Sequence, residues 1–348
     1  MIFFACIFSA LMLSSQEDTV KVSLGLNPEE TAEQEYNSGL EALKKRDFTG
    51  AADLFTRCLA VKPNFDKALS NRAIAYTNLK RYDEALADIS HAISNSPANA
   101  EYYFNKSLIY AGMNRKDSQE VALDQCLTIQ ANHAEAAYYK GVLHFERKET
   151  DKAIGYYDLA LKANPAYAFA YNDRGSAKRV RGDVAGSIGD YEAAIRSDSS
   201  RAFIYNNLGS AYRLNNQPDL AIGAYSAALK LDARYLMALI NRGAAYFEKN
   251  LLAQAQTDFE EVLSIDGKNS HAYNNLSSIA IKNKDYKKAK ELADRAISLD
   301  SKNGPAYYNR GIARQMLREE EGACDDWKKA IGYGVIDAKS FLSASCQD

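Results

Sequence analysis

Two adjacent segments decide the fold of this chain: AFIYNNLGSAYRLNNQPDLAIGAYSAALKLDARY at residues 202–235 and LMALINRGAAYFEKNLLAQAQTDFEEVLSIDGKN at residues 236–269. Each has 34 residues, and in each a glycine, Gly209 or Gly243, is followed sixteen residues later by an aromatic ring. The small residue recurs at one place in nine segments: Gly39, Ala73, Ser107, Gly141, Gly175, Gly209, Gly243, Ser277 and Gly311. A fixed period without insertions indicates a tandem array of one structural unit.

The remaining small and bulky positions predict what this unit is. Four residues before the aromatic position the chain carries Ala51, Ala85, Gln119, Ala153, Ser187, Ala221, Ala255, Ala289 or Ala323. Small residues on two helices let them approach, and one large side chain fills the space between them. A carboxylate satisfies or complements the exposed N–H groups where a helix begins, and aspartates fall at or near the expected start of seven second helices. They are Asp47, Asp83, Asp117, Asp151, Asp183, Asp219 and Asp285. We therefore predict helix-turn-helix units that bury their apolar faces against each other.

This pattern of glycine, tyrosine, alanine and aromatic positions resembles the tetratricopeptide repeat family. The resemblance implies an all-α fold, a right-handed superhelical solenoid of nine repeats over residues 32–337. Residues 16–31 are then an N-terminal linker, and residues 338–348 a short capping helix and tail. The third repeat matches least well, since Gln119 occupies a small position, so we expect an irregularity near residues 115–132.

Charge and motifs exclude several functional classes. Forty-three Lys and Arg residues against 45 Asp and Glu give a net charge of −2, which provides no basic surface for nucleic acid or for anionic lipid. The repeats use almost all of residues 32–337, and they contain no glycine-rich phosphate loop or nucleophile motif. The four histidines occupy four different repeat positions, which argues against a shared metal site. We predict a protein that is not an enzyme and needs neither cofactor nor metal.

A polar position two residues before each small residue carries the functional prediction. It holds Asn37, Asn71, Asn105, Tyr139, Asp173, Asn207, Asn241, Asn275 and Asn309. Helix propensity does not favour asparagine, and an amide both donates and accepts hydrogen bonds, so a row of amides can hold a peptide backbone. The row resembles the asparagine ladder of the superhelical repeats of O-linked N-acetylglucosamine transferase, which implies that these nine residues bind an extended peptide in a concave groove.

Two alternatives stay open at this stage. The asparagines can instead bond to water or to the adjacent helix, which would make them part of the stack. The arginines and lysines that follow the ladder, among them Arg72, Arg174, Arg242 and Arg310, point away from it by the helical turn and should be structural. The expected function is a scaffold that binds a protein or peptide, and the alternative is a targeting or substrate-recruiting subunit of a separate envelope or glycan-processing enzyme.

The two ends of the chain bear on compartment. Residues 2–13 are apolar but too short for a membrane span, and residues 1–15 are a candidate signal peptide. Cleavage would give an exported protein, and retention a cytoplasmic one. Cys324 lies in the last second helix and Cys346 follows the capping helix, so the two can meet in a disulfide if the tail folds back. A free thiol in a loose tail is the competing prediction.

Overall fold

The computed structural model describes residues 27–346, and in this part of the chain the regular structure is entirely helical. The chain divides into two compact units at Ile129 and Gln130. In the described residues the first unit holds α1 (Pro28–Lys44), α2 (Phe48–Val61), α3 (Asp66–Asn78), α4 (Tyr82–Asn95), α5 (Ala100–Gly112) and α6 (Lys116–Ile129). Helices pair in order, α1 with α2 and so on, and each pair packs on the next.

The second unit repeats the same arrangement. It holds α7 (Ala134–Glu146), α8 (Thr150–Ala163), α9 (Ala168–Arg181), α10 (Val184–Ser197), α11 (Ala202–Leu214), α12 (Pro218–Leu231), α13 (Leu236–Glu248), α14 (Leu252–Ile265), α15 (Ser270–Lys282), α16 (Tyr286–Leu299), α17 (Gly304–Met316), α18 (Glu320–Gly332) and α19 (Ala338–Ser345). Within each unit, odd-numbered helices up to α17 are the first helices of repeats and even-numbered ones the second. The predicted all-α fold of paired helices is confirmed, and the right-handed superhelix stays a prediction.

Helix α1 begins earlier than the repeat boundary predicted at residue 32. The Asn27 side chain accepts a hydrogen bond from the Glu30 amide at 2.8 Å, and the Glu30 carboxylate accepts one from the Asn27 amide at 2.9 Å. Pro28 follows at the first helical position, where its missing N–H removes no bond. This reciprocal cap explains why residues 28–31 are helical.

Each first helix ends in a turn with one residue in the left-handed region. That residue recurs every 34 positions, from Arg46 and Lys80 to Arg318, and Gly182 is the glycine in the series. The second helix then begins. Asp47, Asp183 and Asp285 cap it by accepting a hydrogen bond from the backbone N–H three residues later, at 3.0, 2.9 and 3.2 Å, as predicted. In α4, α8 and α12 the residue before the helix makes no side-chain cap bond, and the predicted aspartates lie in the first turn instead: Asp83, Asp151 and Asp219.

The predicted contact between small and bulky positions forms the core. Tyr225 is fully buried and its ring lies against Gly209, where an added Cβ would come within 2.6 Å of Cε1. The same close approach joins Gly243 to Phe259, with 2.7 Å to Cε1. Only hydrogen fits at these positions, because the helices are already in contact through the ring.

Arginines that follow the ladder position clamp first helix to second helix. Arg242 donates through Nε and Nη2 to the two oxygens of Asp258, at 2.9 and 2.7 Å. The same fork joins Arg72 to Asp88, Arg174 to Asp190 and Arg310 to Asp326. The hydrogen bonds that Asp258 accepts raise the pKa of the Arg242 guanidinium further. These arginines are structural, as expected, but they act through buried ion pairs and not only through their stems.

Helix α19 covers the end of the second unit. Phe341 packs against Trp327, with ring centroids 5.4 Å apart, and Gln315 donates to the Ser345 hydroxyl at 2.6 Å. The structure places Cys324 and Cys346 at disulfide distance, with Cα atoms 5.9 Å apart. The capping helix expected from residue 338 onward is therefore present.

Candidate functional site

The ladder positions all lie on first helices. In the second unit, α9, α11, α13, α15 and α17 contact one another in sequence, so their ladder residues follow each other across one surface. We call this surface the ladder face. The ladder face belongs to the second unit, and the first unit has its own short row of ladder residues on α1, α3 and α5.

At the centre of the ladder face, each amide bonds to the preceding repeat. Asn207 donates through Nδ2 to Oδ1 of Asn172 at 2.9 Å, and Asn241 donates in the same way to Asn206 at 2.9 Å. The acceptor always lies 35 residues earlier, directly before the previous ladder residue. Asn172 and Asn206 are buried, whereas Asn207 and Asn241 are half-buried. The ladder amides are thus held in a fixed orientation by a second row of polar residues.

The first unit shows the same register with different acceptors. Asn71 donates to the Tyr36 hydroxyl at 3.1 Å, and the buried Asn105 donates to the Ser70 hydroxyl at 3.0 Å. Asn37, in the first repeat, has an exposed side chain. Most of the ladder side chains therefore form hydrogen bonds to the adjacent repeat, as the first of the two alternatives predicts.

Tyr139 and Asp173 interrupt the row of amides. Asp173 accepts a hydrogen bond from the Tyr138 hydroxyl at 2.8 Å and another from Nδ2 of Asn172 at 2.8 Å. Burial raises the pKa of the Asp173 carboxyl, and these two hydrogen bonds oppose that rise. Tyr139 packs edge-on against the Tyr138 ring, with centroids 5.4 Å apart. Neither Arg179 nor Arg213 forms an ion pair with Asp173 in the described chain.

The last two ladder residues differ from each other. Asn309 is buried, and its Nδ2 donates to Oδ1 of Asn274 and to the Ser278 hydroxyl, both at 2.8 Å. Both of its N–H groups are therefore used within the protein. Asn275 has Ile240 in its acceptor position, and the bond found for its side chain in the described residues is a long one of 3.4 Å from Asn274.

Exposed apolar side chains flank the ladder in α9, α11 and α13. Residues four before the ladder position lie on the same helix face, and there Phe169 and Phe203 stack with centroids 6.1 Å apart, followed by Met237. Phe169 is 39% and Met237 53% exposed. On the other side, seven residues after the ladder position, Val180 and Leu214 are 65% and 62% exposed. Sequence reasoning missed these two rows, although their 34-residue spacing marks them.

A row of hydroxyl groups lies beside the amides. The Ser176 hydroxyl is 3.0 Å from the Tyr191 hydroxyl, and the Tyr225 hydroxyl donates to Ser210 at 3.3 Å. Burial raises the pKa of Tyr191 and of Tyr225, so both phenols stay neutral.

Residues 27–346 contain few other side chains that are candidates for chemistry. The His144 ring is 2.6 Å from the Glu149 carboxylate and stacks on Tyr156, which are contacts of a packed side chain. Between residues 27 and 346 no three His, Cys, Asp or Glu side chains are grouped so that they could hold a metal ion. Within the same residues no helix is both long and apolar enough to cross a membrane.

Comparison with known families and structures agrees with this geometry. One tetratricopeptide repeat model matches residues 36–100, 119–168 and 172–235, and a second matches residues 100–133, 238–269 and 270–303. The chain belongs to the tetratricopeptide repeat family. The family is one of protein-interaction scaffolds, and a tetratricopeptide repeat protein is therefore expected to act by binding other proteins.

Solved structures share this fold at low sequence identity. A tetratricopeptide repeat protein from Parabacteroides merdae ATCC 43184 has a TM-score of 0.58 at 15% identity, covering 71% of this chain and 99% of its own. The Cut9-Hcn1 hetero-tetramer of the APC/C has a TM-score of 0.57 at 14% identity, covering 91% and 76%. PilW, a type IV pilus biogenesis factor, has a TM-score of 0.51 at 19% identity, covering 59% and 94%. At these identities the likeness is one of fold.

Proposed function

We propose that this tetratricopeptide repeat protein is a non-catalytic scaffold that holds an extended polypeptide on the ladder face of its second unit. The observation that carries the proposal is the combination of fixed amides with exposed apolar side chains on α9, α11 and α13. Exposed apolar clusters on a folded protein usually mark interaction surfaces. Here Phe169, Met237, Val180 and Leu214 flank the amides on both sides.

The amides supply bonds that do not depend on the peptide's sequence. Asn207 and Asn241 each use one Nδ2 bond on the preceding repeat. In each, the second N–H and Oδ1 make no hydrogen bond within the described residues. A peptide C=O and N–H match this pair. Fixing the amide beforehand lowers the entropic cost of binding, so the inter-repeat bond and peptide binding are compatible functions of one side chain.

The nine predicted peptide-binding residues are not equivalent in this proposal. Asn207, Asn241 and Asn275 form the amide site, whereas Asn309 has both N–H groups engaged. Asp173 offers acceptors only, and it favours a cationic side chain or an amino terminus at the α9 end of the site.

A random linear peptide library displayed on phage tests the proposal. Peptides enriched on the parent protein should lose most of their binding to Leu214→Glu, which places a charge beside the ladder. They should keep it on Leu220→Glu, a matched control because Leu220 is 50% exposed on the second helix α12. Failure to enrich any peptide, or equal binding to both variants, would contradict the assignment of the ladder face.

The alternative of a recruiting subunit predicts a different partner set. Photo-crosslinking from the ladder face in the protein's own cells should then capture one dominant enzyme, whereas a general binder captures many extended segments.

The cysteine pair supports export, since a Cys324–Cys346 bridge persists only in an oxidising compartment. The candidate signal peptide, residues 1–15, lies outside the described residues. Mass spectrometry of the mature amino terminus tests it directly.

A further inference from the structure

A second binding feature lies away from the ladder amides. A cavity of about 290 Å³ opens between α14, α15 and α16, in the seventh and eighth repeats. Its apolar wall is formed by Leu263, Leu276, Ile279 and Leu292, and Gln256 and Glu260 lie at its rim. Leu276 and Ala280 are turned about 100–140° around α15 from the ladder residue Asn275, so the cavity and the amide row do not share these side chains.

The cavity exists because Ala280 stands where the two neighbouring repeats carry a long side chain. At the equivalent position, spaced by 34 residues, the second unit has Lys178, Tyr212, Tyr246 and Arg314 in its fifth, sixth, seventh and ninth repeats. Lys178 and Arg314 reach Asp190 and Asp326, at 2.9 and 2.8 Å. Ala280 ends at its Cβ atom and lines the cavity, so volume that a side chain fills elsewhere is open here.

The sixth repeat shows which side chain fits this volume. There the Tyr212 hydroxyl donates to Oε1 of Glu192 at 2.7 Å. Moving two repeats along the chain, which is 68 residues, takes Tyr212 to Ala280 and Glu192 to Glu260. The acceptor of the phenol has thus been retained while the phenol itself is missing.

The surroundings of the two positions also match. Leu208 in the sixth repeat corresponds to Leu276 in the eighth, and neither repeat has the arginine that occupies this place in the fifth, seventh and ninth. In those repeats the arginine donates to the residue equivalent to Glu260, as Arg310 does to Asp294 at 2.7 Å. The Glu260 carboxylate instead accepts from Nε2 of Gln256 at 2.6 Å through Oε1. Its Oε2 makes no hydrogen bond within residues 27–346.

We propose that this cavity binds the side chain of a tyrosine from a partner polypeptide. The ring packs on Leu276 and Leu292, and the hydroxyl donates to Glu260, so that the partner supplies what Tyr212 supplies within the sixth repeat. A phenylalanine fills the same space but cannot donate to Oε2 of Glu260, the oxygen that the Gln256 bond leaves open, and this selects tyrosine. The site is independent of the peptide-binding proposal for the ladder face.

Titration with N-acetyl-L-tyrosinamide, followed by the methyl NMR signals of Leu276, Ile279 and Leu292, tests the proposal on the full chain. We expect one saturable site, with N-acetyl-L-phenylalaninamide binding about tenfold or more weakly because it lacks the hydrogen bond to a charged acceptor. Ala280→Tyr should abolish the shifts while raising Tm, since the new ring fills the cavity. Equal binding of the tyrosine and phenylalanine probes, or unchanged binding of the tyrosine probe to Ala280→Tyr, would overturn the assignment.

Two variants test the chemistry of the cavity, and two further measurements separate the possible sources of the tyrosine. Tyr212→Ala opens the matched cavity beside Glu192, so it should bind a second equivalent of the tyrosine probe. Glu260→Gln keeps the shape and should remove the preference for tyrosine over phenylalanine. Tighter binding of free tyrosine than of the blocked amide would assign the cavity to a small molecule and refute the polypeptide partner. A parent dimer that Ala280→Tyr makes monomeric, measured by sedimentation velocity, would refute it in favour of a second copy of this chain.

Discussion

The bond from a ladder amide to the preceding repeat can be measured with two substitutions that differ in one contact. Asn241 donates to Oδ1 of Asn206, which is only 5% exposed, at 2.9 Å. Asn275 has the apolar Ile240 in the acceptor position. Both are half-buried asparagines in the middle of a first helix. Replacement by alanine gives both the same gain in helix propensity, about 0.5–0.7 kcal/mol, which cancels in the comparison.

The expected difference follows from the acceptor left behind. The hydrogen bond itself contributes about 0.5–1.5 kcal/mol, and an unsatisfied buried acceptor costs about 1–3 kcal/mol. Asn241→Ala should therefore lower the free energy of unfolding by about 1–3 kcal/mol more than Asn275→Ala does. Equilibrium urea denaturation followed by far-UV circular dichroism measures both. Equal losses of unfolding free energy in the two variants would refute the idea that ladder amides join neighbouring repeats. Peptide binding would then be the one function left for them.

Three other perturbations test the buried charges and the cap. Burial raises the pKa of Asp173 in the folded state. Above the ordinary pKa of a carboxyl group, the native protein therefore binds more protons than the unfolded chain does. The free energy of unfolding then falls as pH rises through the raised pKa. Asp173→Asn should raise Tm at pH 7, and the gain should shrink toward pH 4; an equal gain at both pH values would contradict this. Asp326, 1% exposed and paired with Arg310, should cost about 3–5 kcal/mol of urea-measured stability when replaced by alanine, while Asp294→Ala at the exposed end of the same arginine should cost less than 1 kcal/mol. Reduction of a Cys324–Cys346 bridge, with a sequence separation of 22, should lower the free energy of unfolding of the parent protein by about 3 kcal/mol. The same reductant should leave the stability of Cys324→Ser unchanged, because that variant cannot form the bridge.

The fold class and the boundaries of the repeats can be deduced from the 34-residue period alone. A 34-residue period without insertion fixes which residues share a position, and the size constraint between Gly209 and Tyr225 is local enough to be deduced from spacing. The row of ladder residues followed from the same register. The Cys324–Cys346 pairing was also accessible, because a capping helix that folds back has only one second helix to cover.

The contacts of the ladder residues depend on how neighbouring repeats pack. A ladder amide can face a ligand or a neighbouring repeat, and the outcome depends on the offset between adjacent first helices. That offset places each acceptor 35 residues before its donor, which cannot be deduced from the 34-residue period. The consequence of Ala280 was equally hidden, since an alanine in a helix usually packs. Only the positions of Leu276, Leu292 and Glu260 around it show an open volume with a retained acceptor. Periodicity assigns equivalent positions, whereas departures from it acquire meaning through the contacts across repeats.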